Sequence, residues 1–143
     1  MRIVSWNVNG LRACAKKGFL QVLQRHKIDV MALQEVRAFP EQLPANVRNP
    51  RGWHAHFAPA TRPGYSGVAI YSRIPPTRIE DSLGESRFDE EGRFLLAQFG
   101  RLSVVSAYFP KGSGKDRDNS RVPYKMDFYR AVFERIQRQR KLG

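Results

Sequence analysis

The sequence predicts an α/β protein. Three observations carry this: a strand–helix–strand unit opens the chain, short apolar runs set off by Gly and Pro fill its middle, and an amphipathic helix closes it. Residues 2–8 (RIVSWNV) read as a strand entering a turn at Asn9-Gly10. Residues 11–27 read as one helix, with Leu11, Ala15, Phe19 and Leu23 at a spacing of four and Gly18 as its weak point. Residues 29–35 (DVMALQE) are nearly continuously apolar before Gln34, the pattern of a strand covered on both faces. Together they make a βαβ unit, whose crossover is right-handed in nearly all proteins.

Pro40, Pro44, Pro50 and Gly52 punctuate a loop, and residues 53–58 (WHAHFA) then alternate as a strand. TRPGYSG is turn chemistry, and GVAIYS is a short apolar strand stopped by Pro75-Pro76. Residues 80–93 are polar and read as loop. FLLAQF and LSVVSAYF read as a hairpin across Gly100-Arg101, followed by a charged loop from Lys111 to Asn119. The last helix begins near Pro123, a favoured first helical residue. Tyr129, Val132, Phe133 and Ile136 mark its expected core face, with Arg130, Glu134, Arg138 and Lys141 opposite.

A length of 143 residues suits one domain, and 41% hydrophobic with 27% charged residues argues against disorder. Lys plus Arg number 25 against 13 Asp plus Glu, a formal charge of +12. Half of that surplus, +6, lies in the last 33 residues. Such a surface attracts polyanions, nucleic acid before acidic membrane. The single cysteine, Cys14, excludes an intrachain disulfide and fits a reducing compartment. No apolar run approaches the roughly 20 residues that span a bilayer. Ser5, Asn7 and Asn9 interrupt the first apolar stretch, so it lacks the core of a secretory signal. A cytoplasmic location with no membrane partner is the expectation.

Asn7 and Glu35 lead the candidates for chemistry. Each is expected at the carboxyl end of a strand, and the strands flank one crossover, which sets both on the rim where α/β proteins place ligands. An amide oxygen beside a carboxylate suits Mg²⁺. The same residues also read as a turn Asn and a surface Glu. Tyr108 ends an apolar strand and would matter only on the same rim as Glu35. His54 and His56 share a strand face, but no further His or Cys is placed to complete a zinc site. Phosphate-loop and nucleophile-elbow motifs are absent. The basic surplus together with Tyr65, Tyr108 and Tyr124 fits nucleic-acid binding, or simply a solvated basic surface.

Five blocks carry a wider resemblance: SWNVNGLRA at 5–13, DVMALQEVR at 29–37, GYSGVAIYSR at 64–73, DEEGRFLLAQF at 89–99 and SAYFPKG at 106–112. In this order they resemble the exonuclease III family of apurinic/apyrimidinic endonucleases, within the endonuclease/exonuclease/phosphatase superfamily. The resemblance implies an α/β sandwich of the deoxyribonuclease-I-like type. It implies Asn7 and Glu35 at a divalent-metal site, taking Mg²⁺ or alternatively Mn²⁺, and Tyr108 as a catalytic residue pointing at the phosphate or attacking water. It sets Tyr65, Arg93 and Lys111 along a DNA face, with Gly64 permitting close backbone approach and Arg37 and Ala38 nearby. The implied reaction is hydrolysis of DNA phosphodiesters at abasic sites and 3′ ends of double-stranded DNA.

The family continues past this point into a Gly-Asp-x-Asn motif and, later, a Ser-Asp-His motif. Neither occurs in these 143 residues. The chain therefore resembles the N-terminal half of such an enzyme, expected to supply the first sheet and its helices and to leave an apolar sheet face and a strand edge uncovered. Without the partner half, turnover is expected near background. A non-catalytic nucleic-acid-binding module, or a phosphatase of the same superfamily, are the alternatives.

Overall fold

A computed structural model describes residues 1–142. The backbone divides into two compact units, residues 1–108 and residues 109–143. In the first, strand β1 (Ile3–Asn7) leads through two short helices, α1 (Leu11–Lys16) and α2 (Phe19–Arg25), to β2 (Val30–Gln34). The expected single helix is thus two. Gly18 breaks it at φ 105°, where a left-handed residue caps the second segment. A 3₁₀ turn (Pro40–Gln42) and a one-turn helix α3 (Ala45–Arg48) lie in the region read as loop. Then come β3 (His54–Ala58), β4 (Val68–Ser72), β5 (Arg78–Glu80), the one-turn helix α4 (Ser86–Asp89), β6 (Phe94–Phe99) and β7 (Leu102–Ala107).

The strands form two sheets, β1-β2-β4-β3 and β5-β6-β7. β1 and β2 are parallel, with Ile3 opposite Val30 and Asn7 opposite Gln34, as the βαβ reading required. The other pairs are antiparallel, including the β6–β7 hairpin. β2 and β4 are buried on both faces. Met31, Leu33, Ala69 and Tyr71 pack outward against Leu11, Phe19 and Leu23 of the helices. Val30, Ala32, Val68 and Ile70 pack inward against Leu95, Ala97, Phe99 and Val104 of the second sheet.

This corrects one expectation. The chain supplies strands to both sheets, not the first alone. After Pro75-Pro76 the chain turns back and lays β5–β7 over the inner face, so most of that face is covered within this chain. What stays open is the β1 flank. The β1–β2 register puts Ile3 on the face of Val30, yet Ile3 is 46% exposed and Val30 0%. β7 is likewise an edge strand.

The second unit holds helix α5 (Val122–Leu142). Its buried residues are Phe128, Val132 and Arg135, at i, i+4 and i+7. Tyr129, Phe133 and Ile136, expected in the core, are exposed. The helix carries apolar residues around more than one stripe, and periodicity alone did not select between them. Phe109 packs edge-on against Phe128 and tilted against Tyr129, with ring centroids 5.4 and 4.5 Å away. Among the described residues no helix is long and apolar enough to cross a membrane.

Candidate active site

The parallel β1–β2 pair brings two chain ends to one rim. Asn7 is the last residue of β1, and Glu35 directly follows β2. Backbone bonds lace the loops there. Val8 N–H donates to the Gln34 carbonyl at 3.1 Å, Gly10 N–H to Glu35 at 2.7 Å, and Arg37 N–H to Ser66 at 2.8 Å. The loops are conformationally unusual. Asn9, Glu35, Arg37 and Ser66 all take positive φ, between 47° and 53°. Such backbone costs each non-glycine residue on the order of 1 kcal/mol and persists only where surrounding structure enforces it.

Two donors bond the Glu35 carboxylate, and the Tyr108 hydroxyl stands beside it. Asn7 Nδ2 donates to Oε1 at 2.9 Å, and Arg37 Nη2 donates to Oε2 at 2.5 Å. The Tyr108 hydroxyl is close enough to Glu35 for the two groups to shift each other's titration. Burial pushes the Glu35 pKa up, but the bonds from Asn7 and Arg37, the neighbouring Tyr108 hydroxyl and the charge of Arg37 outweigh it, so Glu35 titrates below the ordinary carboxylate range. Burial, then the neighbouring Glu35 carboxylate and its negative charge, raise the Tyr108 phenol above its ordinary value. Tyr108 is therefore a protonated donor at neutral pH. It stands on the rim of Glu35, the condition the sequence set for its relevance.

A polar chain that the sequence did not single out lies beneath these groups. Ser106, fully buried on β7, donates from Oγ to the Leu33 carbonyl at 2.8 Å and accepts from Gln34 Nε2 at 3.1 Å. Gln34 Oε1 in turn accepts from Ser5 Oγ at 3.3 Å. The chain ties β1, β2 and β7 together just below Asn7, Glu35 and Tyr108. Its only sequence signal was a polar residue inside an apolar strand.

The rim offers hard oxygen donors and neither sulfur nor imidazole, a set that fits Mg²⁺ and not zinc. Only one carboxylate is present there, and among the described residues no group of three or more His, Cys, Asp or Glu side chains could hold a metal. A cation would thus take most of its shell from elsewhere. Asn7 presents Nδ2 to Glu35, while its Oδ1 accepts from Asn9 N–H at 3.1 Å. In this arrangement it orients Glu35, and it becomes an oxygen ligand only after its amide turns.

The residues expected at a DNA face divide. Arg37 and Gly64 are exposed and Tyr65 is half-buried. Ala38, Gly64 and Tyr65 line one shallow depression with Arg62, whose guanidinium lies 5.2 Å from the Tyr65 ring centre. Arg62 is an exposed cation that the sequence reading passed over. Ala38 is buried at 7% exposure, so it lines the depression without offering much surface of its own. Arg93 departs furthest from expectation. It is 4% exposed and engaged inside the protein. Lys111 belongs to the second unit and is exposed there. His54 is exposed, and burial followed by the neighbouring His54 charge lowers the pKa of half-buried His56.

Comparison with known proteins adds an independent line. The model of the Endonuclease/Exonuclease/phosphatase family matches residues 4–143. The chain is 32% identical over 137 residues to an exodeoxyribonuclease of Bacillus subtilis, covering 95% of this chain and 52% of that protein. It is 36% identical over 131 residues to the DNA repair nuclease APEX1 of Danio rerio, covering 90% of this chain and 42% of that protein. Its structure superposes on the Xenopus laevis APE2 catalytic domain with a TM-score of 0.85 at 26% identity, covering all of this chain and 55% of that one. The chain spans about half the length of these relatives. Both the sequence match and the two-sheet α/β architecture place the chain in the endonuclease/exonuclease/phosphatase family.

Proposed function

We propose that this chain is the N-terminal half of a metal-dependent DNA-repair phosphodiesterase that hydrolyses double-stranded DNA at abasic sites and trims 3′ ends. The observation that carries this reading is the convergence of Asn7 and Arg37 on the single carboxylate of Glu35, with the Tyr108 hydroxyl beside it. A surface glutamate needs no such set of donors. The family of the chain and its charge of +12 support a phosphodiester substrate on a polyanion.

Glu35 would hold Mg²⁺, or alternatively Mn²⁺, and Asn7 would fix the carboxylate toward it. When bound, the cation would polarise the phosphate and stabilise developing charge. Tyr108, protonated at neutral pH, would donate a hydrogen bond to a phosphoryl oxygen. Arg37, Ala38, Gly64, Tyr65 and Lys111 would border the DNA, with Arg62 added to that set. The water-activating carboxylate and the histidine would come from a C-terminal half. Removing one such electrostatic group commonly costs about 10²–10³ in rate, and residues 1–143 tested alone would lack both.

The test is incision of a labelled abasic duplex by residues 1–143, by the C-terminal half of a relative, by both, and by both with chelator. The expected result is near-background cutting by each half and Mg²⁺-dependent cutting by the mixture. Robust incision by this chain alone would show the catalytic base to be misplaced. Association of the halves without incision would favour a nucleic-acid-binding module.

A further inference from the structure

We propose that Arg93 is a positioning residue that sets the geometry of both Tyr65 and Tyr108, rather than a contact to the DNA backbone. This rests on the reading of those two tyrosines given above. A guanidinium at 4% exposure cannot reach a bound phosphate without leaving its partners, and burying it requires that its donors be met. They are met in three directions. Nε donates to Glu91 Oε2 at 2.6 Å, Nη2 to the Tyr65 hydroxyl at 2.7 Å, and Nη1 to the Tyr108 carbonyl at 3.1 Å. The guanidinium carbon also lies 4.9 Å from the Tyr108 ring centre and 5.5 Å from that of Tyr65.

The backbone closes the arrangement. Tyr108 N–H donates to the Arg93 carbonyl at 2.9 Å, so Arg93 grips residue 108 through both its carbonyl and its side chain. The Tyr65 hydroxyl, holding the Nη2 bond, turns its own proton toward Glu91 Oε2 at 3.5 Å. Glu91 thus anchors both the arginine and the tyrosine. The result is a continuous path from Tyr65 on the rim, through Arg93, to Tyr108. The planar fork is what makes this possible. An ammonium group is a point charge without three fixed directions of donation.

The test uses the 143-residue chain with ¹³C-labelled tyrosine, read by NMR. The five tyrosines are assigned with Tyr65→Phe and Tyr108→Phe, and Tyr71 in the core serves as the control. Arg93→Lys keeps the charge and loses the fork, and Arg93→Met loses both. We expect both variants to shift the Tyr65 and Tyr108 resonances while Tyr71 stays in place. Both should weaken binding to a short duplex by about tenfold, without changing the slope of log affinity against log salt. A phosphate contact behaves otherwise. Arg93→Lys would then keep the wild-type tyrosine spectrum, and Arg93→Met would reduce the slope by about 0.9. That outcome overturns the proposal.

Should the Arg93 variants fail to fold, Glu91→Gln weakens the Nε anchor and the bond from the Tyr65 hydroxyl, so Tyr108 becomes the deciding resonance. The substitution must still shift Tyr108, and an unchanged Tyr108 resonance would sink the idea. If the wild-type chain binds no duplex, the DNA-face reading fails, while the tyrosine spectra still decide whether Arg93 holds the two rings.

Discussion

Gly92 joins Glu91 to Arg93 and should be the least replaceable glycine of the first unit. Its φ is +56°, and a Cβ built there would lie 2.5 Å from the Pro59 carbonyl carbon and 2.6 Å from the Ala58 oxygen, and would also overlap Ala60 N. These are backbone atoms, and ordinary contact begins near 3.4 Å. The end of β3 would have to withdraw, and its neighbours resist: Thr61 N–H donates to Glu90 at 2.8 Å, and Ser66 Oγ to the Gly92 carbonyl at 3.3 Å. Gly100 is the internal control. Its φ is +61°, but nothing lies within 4 Å of its Cβ position. Gly100→Ala should therefore carry only the left-handed backbone cost, about 1–2 kcal/mol. Gly92→Ala adds overpacking of about 1–3 kcal/mol. Urea denaturation followed by circular dichroism measures the difference, and thermal unfolding should place Gly92→Ala several degrees below Gly100→Ala. Equal losses for the two variants would refute the close approach. In tyrosine spectra, Gly92→Ala should also disturb Tyr65 and Tyr108, because it moves the residue that carries the clamp.

Weak Mg²⁺ binding by the chain should vanish in Glu35→Ala, and calorimetry showing equal affinity in both would end the assignment. Arg37→Gln frees Glu35 Oε2 of a competing cation and should tighten Mg²⁺ binding a few-fold, a comparison the same titration makes. The depressed Glu35 pKa gives a signed pH effect. Its stabilisation is present above the unfolded carboxylate value near pH 4.5 and is lost as pH falls through the lower folded value. Glu35→Gln should flatten that part of the acid unfolding curve, and an unchanged curve would contradict the donor set. Duplex affinity should fall linearly with salt on logarithmic axes, with Lys111→Ala and Arg37→Ala each lowering the slope by about 0.9. Salt-independent binding would exclude a phosphate-tracking face.

Local pattern was sufficient where the physical cause is local. The apolar runs of β2 and β4 announced burial on both faces because each successive side chain must meet a packed layer. The parallel β1–β2 pair followed from a strand–helix–strand order, and with it the meeting of Asn7 and Glu35 at one rim. Gly18 was legible as a weakness and proved to be a break. Tertiary structure decided what depends on distant partners. The three-residue strand β5 and the one-turn helices α3 and α4 are too short to carry a period of their own. Strand pairing across the chain, not strand content, assigned β5–β7 to a second sheet. On α5 the buried stripe was set by packing rather than by periodicity. Arg93 makes the same point at the site. By composition it is one more cation of a basic protein, and only the fold brings Glu91, Tyr65 and Tyr108 around its guanidinium, where pairing makes burial of the charge tolerable.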